Sequence, residues 1–310
     1  MKTYREQKTW QLIQKYLPEH NRITEKFHPT EEFWLWKNNK IHLDTYRNPS
    51  SKAKVILLHG VGGNGRLLSL IGIPLYKNGL EVIAPDLPGY GYSQINEAVI
   101  DYSLWIHLAN DLINHELEKD NRPIFLLGLS AGGMLAYHVT CVNKKVGGLI
   151  ATNLLDQRIQ EVRDASAINI VMSRLGVHFI NFLNKVRGKT QLPMKLVADM
   201  RAIVNDKNVL KLLLKDETSS GSKVSIRFIH SLMNEAPKIE PEAFNLCPLL
   251  LAHPAKDQWT GLNLSKLFFD RFNIKKELKL LNNAGHFPIE EPGLMQLEKY
   301  TMDFIENITD

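Results

Sequence analysis

Short, continuous apolar runs alternate with helical segments through most of this 310-residue chain. The runs of strand length are 54–58, 81–84, 124–127, 146–151, 249–252 and 277–281. Such runs are typical of parallel strands buried on both faces, because helices cover both sides of the sheet. The alternation therefore predicts an α/β fold with a mostly parallel, doubly wound sheet.

Two patterns precede the first of these runs. Residues 33–36 and 40–46 alternate like half-buried strands around a turn at Asn38-Asn39. Further upstream, Trp10, Ile13 and Leu17 recur at helical spacing and Pro18 follows them, which predicts a short amphipathic helix. We expect this helix to dock on the main body; a helix lying on a membrane surface is the alternative.

The strand and helix alternation is interrupted once, between Asp156 and Asn245. This interval is too long for a structureless loop, and it contains helix-like stretches at 165–187 and 197–214. We therefore predict three parts: an N-terminal helical extension (1–30), an α/β core (31–155 and 246–310) and a mostly helical insertion (156–245).

Charge is unevenly distributed between these parts. The chain has 38 Lys+Arg and 33 Asp+Glu, a net charge of +5, and residues 157–245 alone hold 14 basic and 9 acidic residues, so the remainder balances at 24 and 24. Such a mild excess predicts no nucleic-acid partner, and its place in the insertion raises the question of what approaches that part.

The sequence also bears on compartment. Residues 1–15 lack the apolar stretch of a signal peptide, and no apolar run approaches the roughly 18 to 20 residues that cross a bilayer. Cys141 and Cys247 lie in apolar surroundings without metal-binding or redox spacing, so buried free thiols are expected. We predict a soluble, cytoplasmic protein.

One glycine-rich motif suggests a dinucleotide enzyme. Residues 60–65 (GVGGNG) follow a predicted strand, fit GxGxxG, and have Asp86 21 residues beyond Gly65. This spacing would suit a nicotinamide or flavin cofactor. The same glycines could instead let the backbone approach a substrate carbonyl, which the motifs below favour.

A second motif, Gly128-Leu129-Ser130-Ala131-Gly132, ends one predicted strand and opens a predicted helix. A nucleophile elbow requires this context, because a sharp turn between small residues raises the Ser hydroxyl above the edge of the sheet. A plain glycine-rich turn is the alternative interpretation. Ser130 is therefore the candidate nucleophile.

A serine nucleophile needs a base, and the base needs an orienting carboxylate. Asp257 lies shortly after the strand 249–252 and His286 shortly after the last strand, 277–281. Because the carboxyl ends of the strands share one crevice, these side chains should meet Ser130 there, and the chain order Ser, Asp, His is the one expected for this elbow.

With these residues in place, the chain from about Glu31 onward resembles the α/β-hydrolases, specifically the capped serine esterases and lipases near the monoacylglycerol lipase and lysophospholipase group. The motifs in register are His59-Gly60-Val61-Gly62, residues 86–93 (DLPGYGYS), the elbow at Ser130 and Gly285-His286. The resemblance implies an α/β-hydrolase fold in which the insertion 156–245 forms a helical cap.

The resemblance also implies roles. Backbone N–H groups of Val61 and Ala131 would form the oxyanion hole, on a substrate loop that includes His59, Gly60 and Gly62. His59 would hold this loop rather than carry protons, and His138 and His253 would be structural. Some members of the family place the acid where Asp156 lies here, so Asp156 is the alternative to Asp257.

These features predict a serine hydrolase that cleaves carboxylic esters and needs no cofactor or metal. Apolar cap residues suggest a medium or long acyl group, as in a monoglyceride or lysophospholipid, although packing between helices is the commoner cause of such a stripe; they are Met172, Leu175, Val177, Phe179, Ile180, Phe182, Leu183, Leu192 and Met194. Lys185, Arg187, Lys189 and Lys195 lie among them and suggest contact with an anionic head group or a transient contact with a membrane surface; a solvated helix face is the alternative. A thioesterase, an aminopeptidase and a ligand-binding receptor with an idle triad remain alternatives.

Overall fold

The structure of the chain is a computed structural model that describes residues 2–167 and 170–309, apart from the side chains of 170–172 and 175–179. The strands are β1 (Thr30–Trp36), β2 (Asn39–Tyr46), β3 (Lys54–Leu58), β4 (Glu81–Pro85), β5 (Ile124–Gly128), β6 (Val146–Ala151), β7 (Gln191–Pro193), β8 (Lys223–Ser225), β9 (Leu249–Pro254) and β10 (Lys276–Leu281). The α-helices are α1 (Lys8–Ile13), α2 (Ser69–Lys77), α3 (Tyr102–Lys119), α4 (Ala131–Asn143), α5 (Gln160–Ser166), α6 (Ile170–Arg187), α7 (Lys207–Leu213), α8 (Ile226–Asn234), α9 (Leu262–Phe269) and α10 (Gly293–Thr309).

Eight strands form one sheet in the order β1-β2-β4-β3-β5-β6-β9-β10. β2 pairs antiparallel with both β1 and β4, and every other pair in this sheet is parallel. All residues of β3, β4, β5 and β9 are buried, which explains why these strands read as continuous apolar runs. The predicted α/β-hydrolase fold, with its mostly parallel sheet, is confirmed.

The segment between β6 and β9 packs on the core instead of joining its sheet. Its strands β7 and β8 pair with each other, and the Phe228 ring of α8 lies 4.7 Å from the Trp105 ring of α3. Arg158 bonds with Asp156 and with Glu240, each at 2.7 Å, and so ties together the two ends of this segment.

Helix boundaries in this segment differ from the prediction. The predicted helix 165–187 is two helices, because Ala167 takes an extended conformation and forms a β-bridge with Ala198. The predicted helix 197–214 is wrong over its first half: α7 begins only at Lys207, where the Asp206 carboxylate accepts the backbone N–H groups of the first turn. Helix α8 and the β7–β8 pair were not predicted.

The N-terminal segment docks on the core as predicted. Trp10, Ile13 and Leu17 are buried in the main hydrophobic cluster, although α1 ends at Ile13 and a 3₁₀ turn continues to Tyr16. Of the apolar residues in α1, Trp10 and Ile13 are buried and Leu12 is 41% exposed.

Two further features are the cysteine thiols, which the sequence predicts to be buried and free, and the lengths of the helices relative to a bilayer. Cys141 and Cys247 are buried and unpaired, and burial raises the pKa of these thiols to about 11 and about 12. Both are therefore protonated and unreactive at neutral pH. No helix in the described ranges has both the length and the apolar composition needed to cross a bilayer.

Candidate active site

Ser130 lies in a strained turn between β5 and α4. Its backbone has φ 55° and ψ −125°, a conformation that is costly for a residue with a side chain. β5 ends at Gly128 and α4 begins at Ala131, so the turn is as short as a nucleophile elbow requires. Ser130 lines a cavity of about 290 Å³.

The glycines beside Ser130 are required by close backbone approaches. A Cβ on Gly128 would overlap the Gly132 carbonyl oxygen, and a Cβ on Gly132 would overlap the Leu58 carbonyl oxygen at the end of β3. Because backbone atoms cannot move away as a flexible side chain can, any larger residue would displace the elbow. The GxSxG pattern is thus explained by packing at this turn.

His286 and Asp257 form a hydrogen-bonded pair beside this turn. His286 Nδ1 lies 2.8 Å from Asp257 Oδ2, and both side chains are almost fully buried. Asp257 follows β9 and His286 follows β10, which are neighbouring parallel strands. The carboxyl ends of these strands therefore bring together two residues separated by 29 positions.

The carboxylate of Asp257 is held on both oxygens. Backbone N–H groups of Trp259 and Thr260 donate to Oδ1 at 2.8 Å, and Asn153 Nδ2 and the Thr260 hydroxyl donate to Oδ2 at 3.0 Å. Burial alone would raise the pKa of Asp257, but the His286 hydrogen bond and the backbone donors outweigh it and lower the pKa to about 2. Asp257 is thus ionised at neutral pH.

The other ring nitrogen of His286 is available for chemistry. Nε2 is buried and has no hydrogen-bond partner among the described residues, while the Trp259 ring lies 4.8 Å from the imidazole. His286 and Ser130 line the same cavity. An imidazole held at Nδ1 by a carboxylate, with Nε2 free beside a serine, is able to accept a hydroxyl proton.

Asp156 forms its side-chain hydrogen bonds with Arg158, whereas Asp257 forms one with His286. The Asp156 carboxylate bonds with the Arg158 guanidinium at 2.7 Å and accepts the Arg158 backbone N–H at 2.9 Å. The bond that orients His286 comes from Asp257. The geometry thus favours Asp257 over Asp156 as the acid.

The loop after β3 approaches the elbow closely. A Cβ on Gly60 would lie 3.0 Å from Ser130 Cβ and 3.2 Å from the Ala131 nitrogen. The Gly60 carbonyl accepts hydrogen bonds from His59 Nδ1 at 2.8 Å and from the Gly63 N–H at 3.1 Å. Since this carbonyl and the Val61 N–H belong to one planar peptide, both bonds also fix the direction of the Val61 N–H.

Ala131 supplies the second backbone group near Ser130. It is the first residue of α4, so its N–H has no acceptor within the helix. Val61 and Ala131 both line the cavity that Ser130 and His286 line. The arrangement can bind an oxyanion next to the serine hydroxyl, at a helix N-terminus where negative charge is favoured.

The other histidines near the site are held neutral. Burial lowers the pKa of His59 to about 4, and its Nε2 accepts the Leu87 N–H at 2.9 Å, so the ring bridges two loops. Burial likewise lowers the pKa of His138 to about 4, and lowers that of His253, whose Nδ1 lies 3.1 Å from the Thr152 carbonyl oxygen. These contacts suit structural roles.

The acidic residue of the dinucleotide pattern does not face a ligand site. Asp86 is fully buried, and its carboxylate accepts the N–H groups of Gly65 and Tyr92 and the hydroxyl of Tyr4. No oxygen of this carboxylate is left to bind a ribose. The structure therefore disfavours a nicotinamide or flavin site here.

One group of side chains has metal-ligand spacing. Ligand atoms of Glu31, His42 and Asp44 lie within 4.8 Å of one another. Arg66 already bonds with Asp44 and lies 3.3 Å from Glu31, and His42 bonds with Glu31 and Asp86. The cationic side chains of Arg66 and His42 already pair with these carboxylates, so this set of residues does not suit a metal ion.

Two cavities meet at Ser130, Val61 and His286. The larger has a volume of about 290 Å³ and mostly apolar walls, to which Ile180, Leu183, Leu192 and Met194 of the predicted cap contribute. Phe182, in contrast, points outward, and the side chains of Met172, Leu175, Val177 and Phe179 lie outside the described residues. The smaller cavity has a volume of about 40 Å³ and is lined by the loop 59–63 together with Leu67, Leu68, Leu129, Ile203, Leu213, Ser220 and Phe287.

The sequence did not predict the residues that support the His286–Asp257 pair. Asn153, which supports Asp257, follows β6, and Thr260 lies three residues after Asp257. The strand-end rule that selected Asp257 and His286 could have flagged Asn153 too. Thr260 had no comparable signal.

Comparison with known proteins supports this fold. A family model described as serine aminopeptidase, S33, matches residues 49–293. That range includes Ser130, Asp257 and His286. No curated protein matches the chain significantly.

Several solved structures are similar. A soluble variant of the monoglyceride lipase of Saccharomyces cerevisiae, in complex with a substrate analogue, has a TM-score of 0.77 and 20% identity, over 95% of this chain and 98% of that one. The monoacylglycerol lipase of Paleococcus ferrophilus has a TM-score of 0.63 and 20% identity, over 87% and 98%. Mouse alpha/beta hydrolase domain-containing protein 10 has a TM-score of 0.63 and 18% identity, over 90% and 99%.

Proposed function

The chain belongs to the serine aminopeptidase S33 family, and from this premise we propose that it is a serine hydrolase that cleaves carboxylic esters through an acyl-enzyme. One observation carries the proposal. Ser130, in a strained elbow, shares a cavity with the free Nε2 of an imidazole that Asp257 holds at Nδ1. An ester hydrolase needs this combination of nucleophile, base and orienting acid.

In the proposed reaction, Ser130 Oγ attacks the ester carbonyl carbon while His286 Nε2 takes the hydroxyl proton. The carbonyl oxygen becomes an oxyanion and accepts the N–H groups of Val61 and Ala131. When the carbon–oxygen bond to the alcohol breaks, Nε2 returns the proton to the leaving oxygen, and the acyl group remains on Ser130. Water then repeats these steps and releases the acid.

Asp257 would contribute through its charge and its orientation. With a pKa of about 2 it stays ionised while His286 becomes an imidazolium, so the pair carries opposite charges in the transition state. The Asp257 hydrogen bond also keeps the Nδ1–H tautomer of neutral His286, which leaves a lone pair on Nε2.

The large cavity suits a long acyl chain. Taking about 10–15 Å³ per non-hydrogen atom, its 290 Å³ would hold roughly 20 to 30 atoms. Its walls include Met134, Leu183 and Phe228, and the small Ala131 leaves the entrance next to Ser130 open. Each buried methylene of the chain would contribute about 0.8 kcal/mol.

The small cavity suits the leaving alcohol. By the same estimate its 40 Å³ holds about three or four non-hydrogen atoms, and Leu67, Ile203 and Phe287 give it an apolar surface. A glycerol group has six non-hydrogen atoms and would fill this cavity and extend beyond it, whereas a glycerophosphocholine group is far larger and charged. A monoglyceride or simple alkyl ester is thus favoured over a lysophospholipid.

Turnover should rise with acyl length and fall with the size of the leaving group. We expect kcat/KM for nitrophenyl esters to increase at least about tenfold from acetate to decanoate, because the added methylenes enter the apolar cavity. For one acyl chain, methyl and glyceryl esters should exceed the glycerophosphocholine ester. A strict acetate preference, or the reverse order of alcohols, would contradict the substrate assignment; a matched decanoyl thioester tests the thioesterase alternative.

A second candidate function, release of an N-terminal amino acid, is favoured by Glu235. This residue lines the large cavity, has no ion-pair partner among the described residues, and could bind a substrate amine. Burial raises the pKa of Glu235, and the nearby Asp101 adds to this shift. Including aminoacyl nitroanilides in the same panel decides the matter, since an aminopeptidase would hydrolyse these amides at a rate that an esterase does not reach, and would lose this activity in Glu235→Gln.

The outer surface of the cap suits contact with an anionic membrane. Phe182, Val186 and Leu196 are 61%, 66% and 54% exposed, and the basic residues Lys185, Arg187, Lys189 and Lys195 are exposed around them. Leu196 also lines the large cavity, so an acyl chain could pass from the lipid into the site at this surface. We therefore propose that the cap rests on a membrane while the ester enters.

Raising the salt concentration should weaken the contact with the membrane without changing the rate of ester hydrolysis itself. Turnover of a monoglyceride in vesicles that contain phosphatidylserine should fall severalfold between about 50 mM and 500 mM NaCl, because salt screens the contact with exposed lysines. Hydrolysis of a water-soluble nitrophenyl ester should stay constant. Replacing Lys185 and Lys189 by Gln should lower the vesicle rate only, and equal rates in neutral and anionic vesicles would refute the contact.

A further inference from the structure

The N-terminal segment (residues 4–17) reaches the loop that carries Val61 through two separate sets of hydrogen bonds. We call residues 59–65 the oxyanion loop. The first set begins at Tyr4, which is buried: its hydroxyl donates to Asp86 Oδ2 at 3.0 Å, and Asp86 Oδ1 accepts the Gly65 N–H at 2.7 Å. Tyr4 thus holds the carboxylate that fixes the last residue of the oxyanion loop.

Other charges keep Asp86 in place. His42 Nδ1 lies 3.1 Å from Asp86 Oδ2, and its Nε2 lies 2.9 Å from Glu31. Burial would lower the pKa of His42, but Asp86, Glu31 and the nearby Asp44 outweigh burial and raise it to about 10, so the ring is charged. Because Asp86 keeps this ion pair, removing the Tyr4 hydroxyl alone should not unfold the protein.

The second set begins at Gln7 and passes through the cap. Gln7 Nε2 donates to Asp216 Oδ1 at 3.0 Å and to Thr218 Oγ1 at 2.8 Å. Both acceptors lie in residues 216–222, which we call the cap turn. Thr218 Oγ1 also accepts from Asn64 Nδ2 of the oxyanion loop at 3.1 Å. The Thr218 hydroxyl thus joins the N-terminal segment to the loop.

The cap turn also contacts the middle of the oxyanion loop. The buried Ser220 hydroxyl donates to the Gly62 carbonyl at 2.9 Å. Gly62 has φ +78°, and a Cβ there would lie 2.6 Å from Met200 Cε and 3.3 Å from Ser220 Oγ, so the cap packs directly on this residue. Gly62 directly follows Val61, the proposed oxyanion donor.

We infer that Tyr4, Gln7 and Ser220 are positioning residues, through which the N-terminal segment and the cap turn hold the Val61 N–H in the direction that binds the oxyanion. The inference rests on the proposed function. A flexible glycine-rich loop samples many backbone directions, and only fixed donors stabilise a transition state without reorganisation. Tyr4 and Gln7 line neither of the two cavities, so they can act only through the loop, whereas Ser220 also lines the small cavity.

The test compares Tyr4→Phe, Gln7→Ala and Ser220→Ala in the full-length protein, with a soluble nitrophenyl ester and active sites titrated by a fluorophosphonate. We expect kcat per titrated site to fall about 5- to 50-fold in Ser220→Ala and less in the other two, with KM changing less than about twofold. The inhibition constant of a trifluoromethyl ketone, which forms an oxyanion on Ser130, should rise by a similar factor. Ser220→Thr, which keeps the hydroxyl, should restore kcat.

Two controls separate positioning from folding. Gln11→Ala removes an amide of α1 that donates to the Arg5 carbonyl, and Thr140→Val removes a buried hydroxyl that donates to the Ala136 carbonyl within α4. Both should keep kcat and the inhibition constant. If the three test variants lose only thermal stability, and kcat and inhibitor affinity stay within twofold of the parent, the inference is wrong. Ester turnover that does not depend on Ser130 would instead refute the proposed function.

Discussion

Ser130→Ala should abolish ester turnover, lowering kcat by about 10⁴- to 10⁶-fold. The alanine has no hydroxyl and therefore cannot form the acyl-enzyme. The residual rate should come only from water bound near the oxyanion donors. Steady-state kinetics with the best nitrophenyl ester measures this loss, and mass spectrometry after treatment with a fluorophosphonate should show one adduct in the parent protein and none in Ser130→Ala.

A matched control excludes general damage to the cavity. Ser166 lines the same large cavity, but its hydroxyl donates to the Val162 carbonyl within α5, so Ser166→Ala should keep both turnover and labelling. Thermal unfolding should show that both variants remain folded. Retained turnover in Ser130→Ala would rule out the serine mechanism. A receptor with an idle triad would show neither turnover nor rapid labelling in the parent.

The parts of the site that were predictable from sequence follow from the geometry of a parallel sheet. Ser130 and Asp257 each lie just beyond a fully buried strand, and His286 lies just beyond the edge strand β10, whose residues are mostly half-buried or exposed. Parallel strands bring their carboxyl ends to one edge of the sheet. The fully buried strands are recognisable because burial on both faces makes them continuously apolar. The sheet and these three residues could therefore be located without any tertiary information.

The remaining features depend on contacts between distant side chains. Gln7 and Asp216 form a hydrogen bond although they are 209 residues apart in the chain. Each is a polar residue near a helix, and nothing in the neighbouring sequence indicates the other as its partner. The break between α5 and α6 arises from a bridge between Ala167 and Ala198, two residues without any strand signal. Local patterns do not encode such pairings, so the segment between β6 and β9 and the N-terminal contacts were less predictable than the sheet.

The choice between Asp257 and Asp156 should be decided by a pair of isosteric variants. Asp257→Asn should lower kcat by about 10⁴-fold. The backbone N–H groups of Trp259 and Thr260 need an acceptor, so the carbonyl oxygen of the new amide should take the place of Oδ1. Its NH₂ group then faces His286 Nδ1 and donates to it. The imidazole must move its proton to Nε2, where it can no longer accept the Ser130 proton.

Asp156→Asn serves as the matched control, because the substitution is the same and the residue lines the same cavity. It weakens the ion pair with Arg158, which retains Glu240 as a partner, so a modest loss of thermal stability is expected while kcat stays within about threefold. Measuring kcat and the melting temperature of both variants separates the two roles. A larger kcat loss in Asp156→Asn would mean that His286 turns to the other carboxylate during catalysis, and that the pair seen here is a resting arrangement.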